Sequence, residues 1–115
     1  MLVEISKGEL IDKITILELK LDYIKDEARL ANVKKEYEIL KELDFETPHR
    51  NELKQVNSIL WYVEDRLRIL EKEKCFNEEF ITKARMVYFF NDERAVIKKK
   101  INLEAGSNII EEKSY

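Results

Sequence analysis

Four stretches of the chain place an apolar residue at every third or fourth position, the spacing that predicts amphipathic α-helices. Ser6 and Glu9 have the spacing of a capping box, which indicates where the first helix begins. That helix then carries an apolar stripe at alternating gaps of four and three, formed by Leu10, Ile14, Leu17, Leu21 and Ile24. We predict helices over residues 6–25, 27–43, 48–74 and 78–105, followed by a C-terminal tail over 106–115.

The boundary between the first two helices is open to two interpretations. After Ile24 the apolar spacing continues out of phase, and neither glycine nor proline interrupts it. A stutter in one long helix over residues 6–43 would rotate the apolar face in this way. A break would instead let Asp26 cap a second helix that has Glu27 in its first turn. We favour the break, because aspartate is a good N-cap.

Three further boundaries follow from local signals. Thr47 is expected to cap the third helix, with Pro48 at its first position. Asn77 is expected to cap the last helix. Gly106 is expected to end that helix, since glycine adopts the left-handed conformation without strain.

Composition supports long helices: 39% of the residues are charged and 44% are hydrophobic, with only two glycines and one proline. A length of 115 residues suits one domain with one modest core. We therefore predict an all-α fold, an antiparallel bundle of three to four long helices with coiled-coil-like packing. The single domain is expected to span residues 1–115.

Charge and rare residues exclude several classes of function. A formal net charge of -3 gives no overall attraction to nucleic acid, so no nucleic-acid partner is expected. One cysteine and one histidine leave no basis for a zinc site or a histidine-dependent catalytic triad. We assign no catalytic residue, metal ion or cofactor. No signal peptide or membrane span is recognised, so a cytoplasmic location with no membrane partner is expected.

Two apolar features predict extensive burial. Ile16, Leu19 and Tyr23 form a second stripe on the first helix, roughly opposite the first stripe. We expect the last helix or a second copy of the chain to cover them, which favours a homodimer. Residues 86–90 (MVYFF) are apolar all the way round the last helix, so this segment is expected to be buried on most sides.

Two polar groupings are candidate sites. One is a line on the third helix that flanks its leucine stripe, a ligand groove or else the edge of the core: Asn57, Trp61, Glu64 and Arg68. The other continues an apolar stripe of the last helix with polar residues: Asn91, Arg94, Lys98 and Asn102. Buried polar groups need partners, and facing helices could supply Glu64, Asp65 or Glu18. Arg94 and Lys98 could bind a phosphate or carboxylate, or they could belong to a structural network.

A third grouping, Glu9 and Asp12, places two carboxylates one turn apart. Carboxylate pairs on facing helices bind magnesium in helical nucleotide pyrophosphohydrolases, but no second pair matches this one. We interpret both residues as acidic groups that favour a helix N-terminus.

The two ends of the chain, residues 4–20 (EISKGELIDKITILELK) and 106–115 (GSNIIEEKSY), resemble a family of small, uncharacterised, highly helical proteins of bacteria and phages. Residues 30–36 (LANVKKE) and 91–102 (NDERAVIKKKIN) resemble the same family. The resemblance implies a domain recognised as a unit, without an assigned activity or catalytic residue. It also implies that the EEKSY ending belongs to the domain, where it would dock or present its carboxylate to a partner.

Two hypotheses on function follow. The first is a non-enzymatic helical interaction or scaffold module that forms a homodimer or binds another protein. The second is a binding protein or enzyme for an anionic small molecule, with a polar site between the last two long helices. The small helical chorismate mutases are the nearest enzyme class by helix arrangement, but their catalytic set cannot be matched to this chain residue by residue.

Overall fold

The computed structural model describes residues 3–106, which form four α-helices and no strand. These are α1 (Lys7–Tyr23), α2 (Glu27–Lys41), α3 (Arg50–Lys72) and α4 (Glu78–Ala105). The predicted all-α bundle is confirmed. The predicted docking of the tail, with Ile109, Ile110 and the EEKSY ending, lies outside the described residues.

Local capping accounts for most helix ends. The side chains of Ser6, Asp26 and Asn77 each accept a hydrogen bond from a backbone N–H two or three residues further along the chain. Each therefore satisfies one of the amides that a helix start leaves unpaired. Gly106 ends α4 in the left-handed conformation, with φ 68° and ψ 39°. Between α1 and α2 the backbone is extended at Ile24, so residues 6–43 form two helices.

The start of α3 differs from the prediction that Thr47 caps a helix beginning at Pro48. The helix begins at Arg50, and the preceding His49 makes no capping hydrogen bond with its side chain. Thr47 Oγ1 instead accepts the backbone N–H of His49 at 3.3 Å, which closes a turn over residues 47–49. The threonine thus stabilises the turn that leads into the helix.

Helix α1 is central, because it packs against each of the other three described helices, whereas α2 packs against α1 alone. Helices α3 and α4 form an antiparallel hairpin, and α4 also runs antiparallel to α1. The main core lies between α1, α3 and α4 and contains Ile11, Leu53, Val56, Leu60, Ile97 and Ile101. Burial of such side chains is the main source of stability in a bundle of this size.

The segment 86–90 is not buried on most sides, contrary to the prediction. Tyr88 is 75% exposed and Phe89 is 59% exposed, while Met86, Val87 and Phe90 are partly buried. The reason is that, within residues 3–106, only α1 and α3 pack against α4, so these residues leave one side of α4 uncovered. None of the helices in the described part of the chain is long and apolar enough to cross a membrane.

Candidate functional site

Helices α1, α3 and α4 bring a group of polar side chains together inside the bundle. We call this group the polar cluster; it comprises Glu9, Asp12, Thr15, Asn57, Asn91, Arg94, Lys98 and Asn102. Asp12, Thr15, Asn57, Lys98 and Asn102 are all buried. Since an unpaired polar group in such a place is costly, the hydrogen bonds within the cluster decide whether the helices can pack this way.

Asn57 lies at the centre of the polar cluster and joins all three helices. Its Nδ2 donates to Asp12 Oδ1 at 2.8 Å and to Thr15 Oγ1 at 3.1 Å. Its Oδ1 accepts a hydrogen bond from Arg94 Nη1 at 3.1 Å. Arg94 also donates through Nη2 to Asn91 Oδ1 at 2.6 Å. Both N–H groups and the oxygen of the Asn57 amide therefore have hydrogen-bond partners within the chain.

Lys98 supplies positive charge opposite the two carboxylates of α1. Its Nζ donates to Glu9 Oε2 at 2.5 Å and lies 3.9 Å from Asp12 Oδ2. Lys98 thus pairs with both carboxylates, whereas the second cation, Arg94, donates to the amide oxygens of Asn57 and Asn91. A buried ion pair of this kind contributes little net stability, but removing one partner leaves an uncompensated charge.

The role of Glu9 differs from the predicted capping box. Ser6 Oγ accepts the Glu9 backbone N–H at 3.1 Å, which is one half of the box. The carboxylate of Glu9, however, binds Lys98 on α4. The pairing across helices takes precedence because Lys98 is buried and needs an anion.

Gly8 permits the close approach of α1 and α4. A Cβ atom at this position would lie 2.5 Å from the backbone oxygen of Lys98, which is too close for a real contact, and 3.0 Å from Asn102 Oδ1, which is unusually tight. The Gly8 N–H donates to Asn102 Oδ1 at 2.6 Å. Among residues 3–106, Asn102 Nδ2 has no hydrogen-bond partner.

Two of the three partners suggested for the polar residues of α4, Glu18 and Asp65, were wrong. Neither Glu18 nor Asp65 reaches them: Glu18 pairs with Arg50 and Lys54, and Asp65 pairs with Arg68 on the surface. Because α4 runs antiparallel to α1, its C-terminal half lies against the first turns of α1. Glu9 and Asp12 therefore supply the anions, although the sequence suggested only a favourable interaction with the helix dipole.

One sequence signal could have identified the α1 side of the cluster. Gly8, Asp12 and Thr15 follow one another at gaps of four and three, so they lie on one face of α1. The polar residues of α4 have matching helical gaps. Two such lines on antiparallel helices indicate a polar seam between them.

The other predicted site residues lie elsewhere. Trp61 stacks on Tyr23, with ring centroids 5.7 Å apart and an interplanar angle of 27°. Glu64 is partly buried, and the exposed Arg68 donates to Asp65 at 2.9 Å. Of the four candidates on α3, the polar cluster therefore contains only Asn57.

The three residues predicted to meet a partner occupy different environments. Leu19 is 4% exposed within one chain, Ile16 is partly buried, and Tyr23 is exposed apart from its stacking on Trp61. Leu19 is therefore covered by its own chain.

A cleft of about 420 Å³ lies outside the polar cluster, beside the loop between α2 and α3. Arg50 crosses it and donates to Asp44 Oδ1 at 2.8 Å and to Glu18 Oε2 at 3.2 Å. Burial raises the pKa of Asp44, but hydrogen bonds from Arg50 and Lys41 outweigh that effect and hold the pKa below its ordinary value. Arg50 thus pairs with carboxylates from two different parts of the chain, Glu18 on α1 and Asp44 in the loop.

Comparison with known proteins adds one finding to this geometry. A family model described as a family of unknown function, DUF6165, matches residues 1–115. The chain belongs to the DUF6165 family. No curated protein and no solved structure matched the chain. The predicted membership of a family without an assigned activity is confirmed. In the described part of the chain, no three His, Cys, Asp or Glu side chains are grouped so that they could hold a metal ion.

Proposed function

We propose that this chain is a non-enzymatic helical interaction module that works as a homodimer. The observation that carries the proposal is the side of α4 that residues 3–106 leave uncovered. Phe89 is 59% exposed, Val96 51% and Leu103 62%, and they follow one another at intervals of seven residues. Exposed apolar side chains are unremarkable when scattered singly, whereas a regular series on one side of a helix is typical of an interaction site.

The arrangement of the polar cluster supports this proposal over the binding of an anionic small molecule. To bind an anion, Arg94 and Lys98 would have to direct their N–H groups to the ligand. Arg94 instead donates to Asn57 and Asn91, and Lys98 donates to Glu9. A ligand would have to displace these bonds and leave buried protein groups without partners. The cluster is better explained as the device that sets how α4 packs on α1 and α3.

Sedimentation velocity of the full chain tests the proposal. A homodimer sediments with twice the chain mass of 13.8 kDa, and its fraction rises with protein concentration. The series should extend to about 100 µM, because small interfaces have weak affinities. A chain that stays monomeric over the whole series contradicts the homodimer.

A thermal-shift series with inorganic phosphate and succinate tests the second hypothesis in the same samples. We expect no rise of Tm at millimolar anion beyond that caused by a chloride solution of equal ionic strength. A rise that is specific to one anion and is lost in Arg94→Gln would favour the anion site.

A further inference from the structure

The exposed apolar line on α4 lies on the side turned away from the core. At about 3.6 residues per turn, seven residues make almost two turns, so Phe89, Val96 and Leu103 fall within about 40° of one another around the helix. Ile97 and Ile101 are buried between α1, α3 and α4 and mark the inner side. We call the exposed side the outer face of α4; it carries Phe89, Asp92, Glu93, Val96, Lys99, Lys100 and Leu103, all exposed.

On the outer face of α4, acidic residues precede Val96 and basic residues follow it at the same distances along the chain. Asp92 and Glu93 precede it by four and three residues, and Lys99 and Lys100 follow it by three and four residues. Phe89 and Leu103 lie seven residues to either side. Reversing the direction of the helix therefore exchanges acidic with basic positions and places apolar on apolar.

This pattern is complementary to itself in one orientation only. In a parallel pair with equal register, acidic residues would meet acidic residues of the other helix, and basic residues would meet basic ones. In an antiparallel pair centred on Val96, Asp92 lies opposite Lys99 of the second copy on one flank. Glu93 lies opposite Lys100 of the second copy on the other flank. Phe89 then packs against Leu103 of the second copy. Flanking pairs of opposite charge select the orientation of paired helices in the same way in coiled coils.

Resting on the proposed homodimer, we infer that the outer face of α4 binds a second copy of this chain, antiparallel, with Val96 on the two-fold axis. Each contact occurs twice, as a two-fold interface requires. The four opposite-charge pairs border the apolar line, which matches the usual anatomy of an apolar centre with a polar rim.

Two double variants test the inference by charge. In Asp92→Lys with Glu93→Lys, all four flanking positions are basic; in Lys99→Glu with Lys100→Glu, all four are acidic. Each variant alone should self-associate roughly tenfold more weakly than the wild type or worse, because attraction is replaced by repulsion. An equimolar mixture of the two should recover association as a heterodimer, which native mass spectrometry detects. The matched control is Lys34→Glu with Lys35→Glu on the exposed surface of α2, which should dimerise like the wild type.

Val96→Arg tests the centre of the interface. It places two guanidinium groups against each other on the axis, and we expect dimer formation to fall at least roughly tenfold. Ile39→Arg makes the same kind of change at an exposed apolar residue of α2 and should leave the dimer intact. Thermal unfolding of each variant at low concentration verifies that the chain still folds.

The outcomes separate the inference from the proposed function. A wild type that dimerises while both double variants and Val96→Arg dimerise equally well overturns the inference and leaves the homodimer standing. Charge variants that associate as well as the wild type also exclude the antiparallel orientation, because that orientation is attractive in the wild type and repulsive in each double variant. A monomeric wild type leaves the segment 107–115 or an unrelated protein as the occupant of this face, and it overturns both.

Discussion

Gly8 and Asn102 are 94 residues apart in sequence, yet the backbone N–H of Gly8 donates to the side-chain oxygen of Asn102 at 2.6 Å. This bond joins the first turn of α1 to the last turns of α4. Backbone N–H groups at a helix start have no acceptor within the helix, and Asn102 supplies one for Gly8. It also requires the two backbones to approach so closely that position 8 has no room for a side chain.

Gly8→Ala should therefore destabilise the protein. Within a helix, alanine is normally favoured over glycine by about 1 kcal/mol. Here the added Cβ would lie 2.5 Å from the backbone oxygen of Lys98, which cannot move without shifting α4. We expect a net loss of about 1–3 kcal/mol in the free energy of unfolding, measured by urea denaturation.

Gly106→Ala is a useful comparison for that measurement. Nothing lies within 4 Å of a Cβ built there, but its φ of 68° is strained for alanine. We expect the free energy of unfolding to fall by about 1–2 kcal/mol, because alanine is unfavourable in this left-handed backbone conformation. If Gly8→Ala were as stable as the wild type, the packing of α1 against α4 would not be as close as described.

Asn57→Leu should be strongly destabilising although it introduces an apolar residue into the bundle. It removes the donor to Asp12 and Thr15 and the acceptor for Arg94. The expected loss is about 2–4 kcal/mol, since buried charged groups lose their hydrogen bonds. Guanidinium denaturation measures it.

Gln55→Leu is the matched control for Asn57→Leu, because it exchanges an exposed amide on the same helix for the same residue. Its effect should stay within about 0.5 kcal/mol. Equal effects of the two substitutions would contradict a structural role for the polar cluster.

Lys98→Met should lower the free energy of unfolding, because Glu9 and Asp12 lose the buried cation that they face. Removing one partner of a buried ion pair costs about 3–5 kcal/mol. Adding Glu9→Gln should restore part of the loss, because one of the two unbalanced carboxylates is then neutral. A double-mutant cycle on unfolding free energies measures this coupling. Strictly additive effects would show that Lys98 and Glu9 do not interact in solution.

The stability of the fold should also depend on His49 near neutral pH. Its Nε2 lies 2.8 Å from Glu104 Oε2 on α4, and its Nδ1 lies 3.3 Å from Glu52 Oε2 on α3. The hydrogen bond to Glu104, together with Glu52, raises the pKa of His49 above its ordinary value of 6.5. A raised pKa in the folded state means that folding favours the protonated form. The contribution of His49 to the free energy of unfolding is therefore complete below about pH 6.5, its pKa in the unfolded chain. This contribution is lost as the pH rises through the pKa of His49 in the folded protein.

The measurable effect of His49 should be small because Glu104 is largely exposed to solvent. We expect about 0.5 kcal/mol or less between pH 6 and pH 8, reduced further by salt. In His49→Asn, the difference in the free energy of unfolding between pH 6 and pH 8 should disappear; urea unfolding at the two pH values measures it. A slope that His49→Asn leaves unchanged would assign the pH dependence to other groups.

Much of the fold follows from local sequence, and most of the candidate site does not. The apolar periodicity of residues 48–74 and the capping side chains of Ser6, Asp26 and Asn77 act within a few residues, so they can be recognised without a structure. The seam of α4 was also visible, because Asn91, Arg94, Lys98 and Asn102 interrupt an apolar stripe. The sequence did not indicate which residues of other helices would pair with them, and the prediction of Glu18 and Asp65 was wrong.

By itself, the sequence determined that the chain forms helices, where most of them begin and end, and which faces are apolar. Those properties depend on helical periodicity and on hydrogen bonds between near neighbours in the chain. Only the tertiary structure decided that Lys98 pairs with Glu9, 89 residues away, and that the segment 86–90 keeps one side exposed. Both depend on how α4 packs along α1 and α3, and that packing is the sum of many contacts between residues distant in sequence.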